Sequence, residues 1–240
     1  MKISIIVPVF NEQATIQQLV TNIIDAMCGY TFELLIIDDA STDTIRETIQ
    51  QIENKNVTLV SFQKNYGQSA AIMAGIENSS GEVIILIDGD LQNDPYDIPK
   101  LFQKLSENKV DLVQGVRQSR KDNWSKVIPS RVANLAIRLL FQVPIHDIGC
   151  SIKAFNRTVA KDLIYFNGFH RFIPLVVHLK GYKLEEMNVN HRNRIAGYSK
   201  YGIERIFIVI KHLIYLRFFP EKIQEPKKYL IKEMNLKKEN

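Results

Sequence analysis

Residues 82–92 read EVIILIDGDLQ, in which an apolar, β-branched run leads directly into an acidic turn. A continuous apolar run of this length predicts a strand that is buried on both faces. Similar runs occur at residues 3–9, 32–38, 57–62 and 111–115. Segments of helical periodicity separate them, at residues 14–28, 42–52, 69–78 and 98–109. This alternation predicts an α/β fold, with a mostly parallel sheet flanked by helices.

The second half of the chain has a different pattern. Residues 116–129 are polar and basic, which predicts a long loop. We expect helices at residues 130–141, from about residue 158 and at 172–180, and strands at 151–156 and 184–191. The last fifteen residues are rich in Lys and Glu and predict a loosely ordered helix or tail.

The charge of the chain is divided unevenly. The formal net charge of +5 combines −2 over residues 1–191 with +7 over residues 192–240. A basic end suggests an anionic partner, such as a phosphate-rich ligand, a membrane surface or a nucleic acid. The alternative is a tail that is merely solvated. Basic and aromatic residues are not interleaved as a single-strand binder requires, so we expect no nucleic-acid partner.

Composition excludes several classes of protein. A chain of 240 residues with 45% hydrophobic and 24% charged residues is typical of a globular protein, not of a disordered chain or a disulfide scaffold. No run of about 20 apolar residues predicts a transmembrane helix. The start of the sequence lacks the pattern of a signal peptide, and its two Cys give no disulfide framework. We therefore expect a cytoplasmic protein.

The acidic turn after residues 82–88 is the sharpest chemical signal. Asp88 and Asp90 are two residues apart, and Gln92 adds a carboxamide oxygen. Hard oxygen ligands of this kind suit Mg²⁺ or Mn²⁺ that bridges the phosphates of a nucleotide. The alternative is an acidic turn that caps the next helix.

Two further groups are expected to face the same crevice, because ligands of open α/β sheets bind beyond the carboxyl ends of the strands. Asp38 and Asp39 end the second apolar run, and a carboxylate there can accept hydrogen bonds from a base or a ribose. We expect residues 41–43 to cap the next helix. The first run ends in a segment that includes Pro8, Phe10 and Glu12, and Glu12 either caps a helix or contacts the nucleoside.

Residues 203–219 predict an amphipathic helix. At 100° per residue, one side carries the apolar residues Ile203, Ile206, Phe207, Ile210, Leu213 and Ile214. The opposite side carries Glu204, Arg205, Lys211 and His212. This arrangement favours a helix that lies on a membrane surface. A helix packed on its own domain or on a partner helix is the alternative.

These motifs, in this order, resemble the family 2 glycosyltransferases of the GT-A fold. The resemblance covers nearly the whole chain and rests on VPVFNE, IIDDASTD, NYGQSAAIMAG and ILIDGDLQNDP. GVRQSR, PSRVANLAIRLLF, DIGCSIKAFNR and RIAGYSKY are similar to the polyprenyl-phosphate branch of that family, which includes dolichol-phosphate mannose synthases and undecaprenyl-phosphate sugar transferases.

The resemblance implies roles for individual residues. Asp39 would bind the base and Asp88 the nucleotide-sugar, while Asp90 and Gln92, together with Asp88, would hold the divalent metal. Asp147 would contact the sugar. Basic residues would engage the donor phosphates, the sugar or the lipid phosphate, namely Arg117, Arg131, Arg194 and Lys200. Lys153 replaces an Arg that many members have. Gly89 replaces a common Ala.

The function implied by the resemblance is transfer of one sugar from a nucleotide-diphosphate sugar to a polyprenyl phosphate, by direct displacement with inversion. A UDP-sugar is the favoured donor and GDP-mannose the runner-up. Transfer to a soluble glycan and a membrane-surface module without catalysis stay open as rival functions. We expect a catalytic domain at residues 1–201 and an amphipathic helix with a basic tail at residues 202–240. This end would contact the cytoplasmic face of the membrane, directly or through a separate membrane protein.

Overall fold

The chain forms one mixed sheet covered by helices on both faces. The computed structural model describes residues 1–118, 134–135, 137–192, 204–219, 223–226 and 228–235. Its strands are β1 (Ile3–Val9), β2 (Phe32–Asp38), β3 (Val57–Phe62), β4 (Val83–Leu86), β5 (Leu112–Arg117), β6 (Lys153–Asn156), β7 (Leu184–Val189) and β8 (Ile231–Asn235).

The sheet has the strand order β7-β5-β6-β4-β1-β2-β3-β8. Strands β4, β1, β2 and β3 run parallel, as the alternating pattern predicts, and so do β5 and β7. β6 is antiparallel to both of its neighbours. The first residue of β6, Lys153, therefore lies beside Leu86 at the carboxyl end of β4.

The helices are α1 (Gln13–Ala26), α2 (Ile45–Gln50), α3 (Gln68–Glu77), α4 (Ile98–Glu107), α5 (Arg157–Lys161), α6 (Ile173–Leu179) and α7 (Glu204–Phe218). Short 3₁₀ helices span Pro95–Asp97 and Phe169–Arg171. Residues 137–141 are also helical. The predicted helices and strands outside the last fifteen residues are thus confirmed wherever the chain is described, with shifted ends.

Each face of the sheet has its own apolar core. One core packs α1, α2 and α4 against the sheet, through residues such as Ile5, Leu19 and Leu101. The other packs α3, α6 and residue Leu216 of α7, through residues such as Ile6. Both cores draw on successive residues of the same strands, which explains why the strand sequences are apolar without alternation.

Helix α3 lies unusually close to the sheet. All its residues from Ser69 to Ile76 are buried, and Gly75 faces β1. A Cβ atom at Gly75 would lie 2.3 Å from Cγ2 of Ile6, so only glycine permits this approach. The close packing fixes the start of α3 beside the carboxyl ends of β1 and β4.

The prediction for the end of the chain is wrong. Residues 231–235 form neither a helix nor a loose tail but strand β8, which pairs antiparallel with β3 from Leu59 to Phe62. Met234 and Ile231 of β8 pack against the core of the α3 face. The pairing partner lies about 170 residues earlier in the chain (for example Val60↔Met234), so local composition does not reveal it.

The prediction of an amphipathic α7 is not confirmed in the part of the helix whose side chains are described. Val209, Leu213 and Leu216 pack on the domain, so Leu213 faces away from Ile210 and Ile214, which are exposed. His212 packs on the Phe166 ring at 4.8 Å between centroids, although we expected it on a polar side. Ile203 and the side chains of Glu204, Arg205, Ile206 and Phe207 lie outside the described part. Among described residues, no helix is long and apolar enough to cross a bilayer.

Candidate active site

The loops after β1, β2 and β4 meet at one edge of the sheet and form a crevice. Each of these loops contains a non-glycine residue with a positive φ, namely Asn11 (58°), Ala40 (60°) and Leu91 (58°). A left-handed backbone at such residues costs roughly 1–2 kcal/mol each. Strained backbone that clusters at one edge is typical of a functional site.

The Asp88–Asp90 turn is held from two sides by residues that sequence reasoning missed. Oγ1 of Thr15, on α1, donates to the Gly89 carbonyl oxygen over 2.8 Å in a buried position. Nε2 of Gln68, at the start of α3, donates to Oδ1 of Asp88 over 2.8 Å. Neither residue type signals such a role, because both bonds join segments that are far apart in sequence.

The two carboxylates of this turn are close enough for the charge of one to affect the ionisation of the other. Burial and the neighbouring charge of Asp90 raise the pKa of Asp88 to about 6, although Ser151, Lys153 and Arg117 oppose the rise. Two carboxylates that disfavour each other's charge are stabilised by a divalent ion. Oδ1 of Asp90 also accepts from the backbone N–H of Gln92 over 3.1 Å.

Asp88 and Asp90 therefore suit a metal ion whose remaining ligands come from elsewhere, and the predicted contribution of the Gln92 carboxamide stays a prediction. Within the described ranges, no group of three or more His, Cys, Asp or Glu side chains could hold a metal ion. Mg²⁺ is commonly bound by one or two carboxylates together with substrate phosphates. The donor set thus suits a cation that arrives with a diphosphate.

Asp39 reaches the crevice but is engaged by the protein itself. Its Oδ1 accepts from the N–H of Tyr66 over 2.6 Å, and its Oδ2 accepts from the N–H of Gly67 over 2.8 Å. The side chain fixes the turn that leads into α3. Each carboxylate oxygen has a second lone pair, so the predicted contact with a base stays a prediction.

Asp38 is fully buried behind the crevice. It forms an ion pair with Nε of Arg46 on α2, and its Oδ1 accepts from the N–H of Ser41 over 2.8 Å. Asn11 joins the same network, because its Oδ1 accepts from the N–H of Thr42 over 2.8 Å. These bonds tie the loops after β1 and β2 together. Asp38 thereby supports the crevice, and its predicted nucleotide contact is untested.

The predicted residues at the end of β1 and just after it are Pro8, Phe10 and Glu12. Pro8 belongs to β1 and lines the crevice, and Phe10 is half-buried in the loop that follows. Glu12 occupies the N-cap position of α1 without a capping bond from its side chain, and it packs beside Gly89. A Cβ atom at Gly89 would lie 2.8 Å from Cγ1 of Val9, so the close approach of β1 and β4 favours glycine here.

Arg117 and Asp147 form a bidentate ion pair with each other. Nε and Nη2 of Arg117 donate to the two oxygens of Asp147 over 2.7 and 2.8 Å. Only 6% of the Asp147 side chain is exposed. Oε1 of Glu186 accepts from the N–H of His146 and secures the same turn. A ligand that contacts either side chain would therefore also affect the other, and the predicted contacts of Arg117 with phosphate and of Asp147 with sugar stay predictions.

The remaining predicted site residues, Arg131, Arg194 and Lys200, lie outside the described residues. The described chain before Arg194 ends at Arg192. The N–H of Arg192 donates to the Gln92 carbonyl oxygen over 2.7 Å, and its guanidinium pairs with Asp94 over 2.7 Å. The segment that leads to Arg194 thus starts at the acidic turn.

Cys150 is not a candidate nucleophile. It is buried beside the Arg117–Asp147 pair, and burial raises the pKa of its thiol to about 12. A buried thiol that stays protonated at neutral pH serves as a packing residue.

Comparison with known proteins identifies a matching family and individual relatives of the chain. The profile of glycosyl transferase family 2 matches residues 4–164. The chain is 39% identical over 227 residues to dodecaprenyl-phosphate galacturonate synthase from Rhizobium johnstonii, covering 91% of this chain and 67% of the relative. It is 34% identical over 218 residues to undecaprenyl-phosphate 4-deoxy-4-formamido-L-arabinose transferase from Pseudomonas paraeruginosa, covering 88% and 64%. The chain thus matches about two thirds of the length of these relatives.

A solved structure shares the fold. Glucosyl-3-phosphoglycerate synthase from Mycobacterium tuberculosis, in complex with Mn²⁺ and UDP-glucose, superimposes with a TM-score of 0.71 at 18% identity. The superposition covers 90% of this chain and 78% of the other. At this identity the likeness extends to the fold alone.

Proposed function

The chain belongs to glycosyl transferase family 2, and from this premise we propose that it transfers one sugar from a nucleotide-diphosphate sugar to a polyprenyl phosphate. The observation that carries the proposal is the Asp88–Asp90 turn, which is held at the carboxyl end of β4 in a crevice suited to a metal-bound diphosphate. The choice of acceptor is supported by the two curated relatives, both of which are named for polyprenyl phosphates.

The proposed reaction is a direct displacement. A phosphate oxygen of the acceptor attacks the anomeric carbon, the bond from this carbon to the donor diphosphate breaks, and the nucleoside diphosphate leaves with the bonding electrons. The second pKa of a phosphate monoester is about 6, so the nucleophile is already anionic at neutral pH and no general base is required. One inversion at the anomeric carbon follows.

The protein contributes position and charge. Thr15 and Gln68 hold the acidic turn so that Asp88 and Asp90 face the diphosphate. Arg117, paired with Asp147, lies near enough to Asp88 to favour its charged form. A divalent ion on Asp88, Asp90 and Gln92 would neutralise the charge that develops on the leaving diphosphate. Donor binding measured with each ion in turn distinguishes Mg²⁺ from Mn²⁺.

The donor we favour is a UDP-sugar. The sugars named for the two relatives differ, and they do not select one for this chain. A panel of UDP- and GDP-sugars with and without Mg²⁺ or Mn²⁺ tests the donor by thermal shift, because a ligand at 100 times its Kd stabilises the folded state by about 2.7 kcal/mol. We expect metal-dependent stabilisation by UDP-sugars. If GDP-mannose alone stabilised the protein, the UDP-sugar assignment would be wrong and GDP-mannose would be the donor.

The acceptor is tested by a transfer assay with radiolabelled donor. We expect label to enter an organic extract when undecaprenyl phosphate is supplied, and not when undecaprenol is supplied, because the alcohol lacks the anionic oxygen. Transfer of label to a soluble glycan, with none in the extract, would contradict the proposal.

We further propose that the domain meets the cytoplasmic face of a membrane through α7. The exposed side of α7 carries Ile210, Ile214 and Phe218, flanked by the cations of Lys211 and Arg217. Residues 137–141 pack on the same core as α7, and their Leu139 and Leu140 are also exposed. Apolar side chains beside cations fit an anionic lipid surface, where each cation contributes about 1 kcal/mol. Within residues 202–240, α7 would then be the lipid-facing part, whereas β8 completes the sheet of the catalytic part formed by residues 1–201.

Ile214→Glu tests this contact. We expect binding to vesicles of phosphatidylglycerol and phosphatidylethanolamine at low salt to weaken by at least about tenfold, because an apolar contact is lost and a negative charge faces an anionic surface. Co-sedimentation measures it. Tyr30→Glu, at an exposed aromatic residue that packs on Phe102 toward the opposite face of the sheet, is the control and should bind as wild type. Equal binding by all three proteins would contradict the proposal.

A further inference from the structure

A narrow cleft lies inside the crevice, beneath the acidic turn. Its apolar walls are Pro8, Ile72, Leu86 and Ile87, and its polar groups are Gln68, Asp88, Ser151, Lys153 and His170. Gln68 is exposed and Asp88, Ser151 and His170 are half-buried, whereas only 2% of Lys153 is exposed. The cleft therefore opens past Asp88, and Lys153 lies at its inner end.

Lys153 is a buried cation with little compensation from the protein. Its ammonium group has three N–H donors, and the acceptor it has among described residues is the His170 carbonyl oxygen, at 3.4 Å. It forms no ion pair within the described part of the chain. Asp147, a neighbouring carboxylate, already gives both oxygens to Arg117. A buried ammonium that lacks partners is costly, and an anionic oxygen is the partner that relieves it best.

The surroundings of Lys153 keep it protonated and fix the position of its one described hydrogen-bond acceptor. Burial lowers the pKa of Lys153 to about 8, even though Asp88, Asp147 and Cys150 favour its charged form. At neutral pH the group is still mainly protonated, so it can donate to an incoming oxygen. Ser69 and His170 hydrogen-bond each other over 2.9 Å, and this bond fixes the short 3₁₀ helix that carries the carbonyl partner of Lys153.

The register of the sheet indicates which part of a donor reaches this position. Lys153 pairs with Leu86, two residues before Asp88, and therefore lies deeper than the carboxylates that face the diphosphate. In the strand order, β6 lies on the side of β4 opposite to β2, at whose end Asp39 is predicted to bind the base. A donor with its diphosphate at Asp88 and Asp90 would therefore direct the transferred sugar, not the nucleoside, toward the cleft. The cleft volume of about 20 Å³ admits a small group of that sugar, such as a carboxylate, and leaves the ring outside.

We infer that Lys153 is a specificity-determining residue that binds a carboxylate on the transferred sugar, so that the preferred donor carries a uronic acid. This inference rests on the proposed function, since it takes the donor to be a nucleotide-sugar. Ser151 and Gln68 are placed to contact hydroxyl groups of the same sugar. The ammonium group positions the sugar and takes no part in bond making.

The test compares donors that differ only at the sugar carboxylate, namely UDP-glucuronate with UDP-glucose and UDP-galacturonate with UDP-galactose. Binding is measured by calorimetry on the whole chain with Mn²⁺. For wild type we expect at least one uronate to bind about 10 to 100 times more tightly than its neutral partner, as for a charge-assisted hydrogen bond. For Lys153→Met we expect this preference to vanish, while binding of UDP alone is unchanged.

Two further variants separate a sugar contact from a structural role. Lys153→Arg keeps the charge and should retain part of the preference, and Lys161→Met removes an exposed Lys and should behave as wild type. Thermal unfolding of Lys153→Met should occur at or above the wild-type temperature, because a buried charge is removed. If Lys153→Met fails to fold, Lys153→Arg and Lys153→Gln decide by the same comparison of donors.

The outcomes are distinct from those that test the proposed function. If wild type binds UDP but shows no preference for a uronate, the inference is overturned while the donor assignment stands. If Lys153→Met weakens UDP as much as UDP-uronates, the contact is to phosphate and the inference is again overturned. If no UDP-sugar binds, both the donor assignment and the inference are overturned. If sugar is not transferred to the lipid, the acceptor assignment fails, but the comparison of donor binding still tests Lys153, because it needs no acceptor.

Discussion

Asp90→Asn should lower the rate of sugar transfer by about a thousandfold or more while the fold stays intact. The substitution keeps the size of the side chain and removes one of two neighbouring negative charges, and metal-ion stabilisation of a leaving diphosphate contributes several kcal/mol. Because the charge of Asp90 is one cause of the raised pKa of Asp88, the pKa of Asp88 should fall toward its ordinary value. Initial rates and carboxyl titration by NMR measure the two effects.

The control for this variant is Asp162→Asn, at an exposed carboxylate that bonds the Tyr182 hydroxyl far from the crevice. It should transfer sugar as wild type does. The Asp90→Asn protein should also lose the additional stabilisation by Mn²⁺ that wild type shows with UDP. A rate within a few fold of wild type would contradict the assignment of the acidic turn to the metal.

Arg117→Met should lower the free energy of unfolding by about 3 kcal/mol or more. It leaves the Asp147 carboxylate buried without its bidentate partner, and breaking a buried pair from one side typically costs 3–5 kcal/mol. The double variant Arg117→Met/Asp147→Leu removes both charges and should regain more than half of the lost stability. Chemical denaturation of the four proteins of this cycle measures the coupling.

The same four proteins distinguish a purely structural role of Arg117 and Asp147 from a direct contact with the ligand. If Arg117 and Asp147 contact phosphate and sugar, the double variant should be stable and yet transfer sugar at least about 100 times more slowly than wild type. Matched changes at the half-buried, more solvent-accessible pair of Lys104 and Glu185 should have a smaller effect on stability and little effect on the rate of transfer. A double variant with near-normal activity would contradict the predicted roles of both residues.

The sheet and its helices were predictable because their signals are local. The apolar runs of β1, β2 and β3 match the observed strands residue for residue, since burial on both faces leaves an uninterrupted run. β8 was missed because its identity depends on β3, to which nothing within residues 226–240 points. The two faces of α7 were assigned from the helix alone, whereas the domain turned Leu213 and His212 inward.

The candidate site was predictable where the chemistry lies on one short segment. Asp88, Asp90 and Gln92 are close in sequence, so their spacing alone indicates an oxygen-rich turn. Thr15 and Gln68 support this turn from other segments, and only the folded chain brings them together. The pairing of Arg117 with Asp147 is likewise a tertiary contact. The sequence therefore indicates the carboxylates of the acidic turn, whereas the side chains that hold this turn in place become visible only in the folded chain.

Mass spectrometry of the organic-extractable product shows whether the protein transfers a single sugar onto a lipid phosphate. The protein is incubated with undecaprenyl phosphate, a UDP-sugar and Mn²⁺, and the product is analysed for mass and anomeric configuration. We expect one sugar and one phosphate per lipid, with the configuration inverted relative to the donor. A lipid diphosphate product, a retained configuration, or label that remains entirely in the aqueous phase would contradict this expectation.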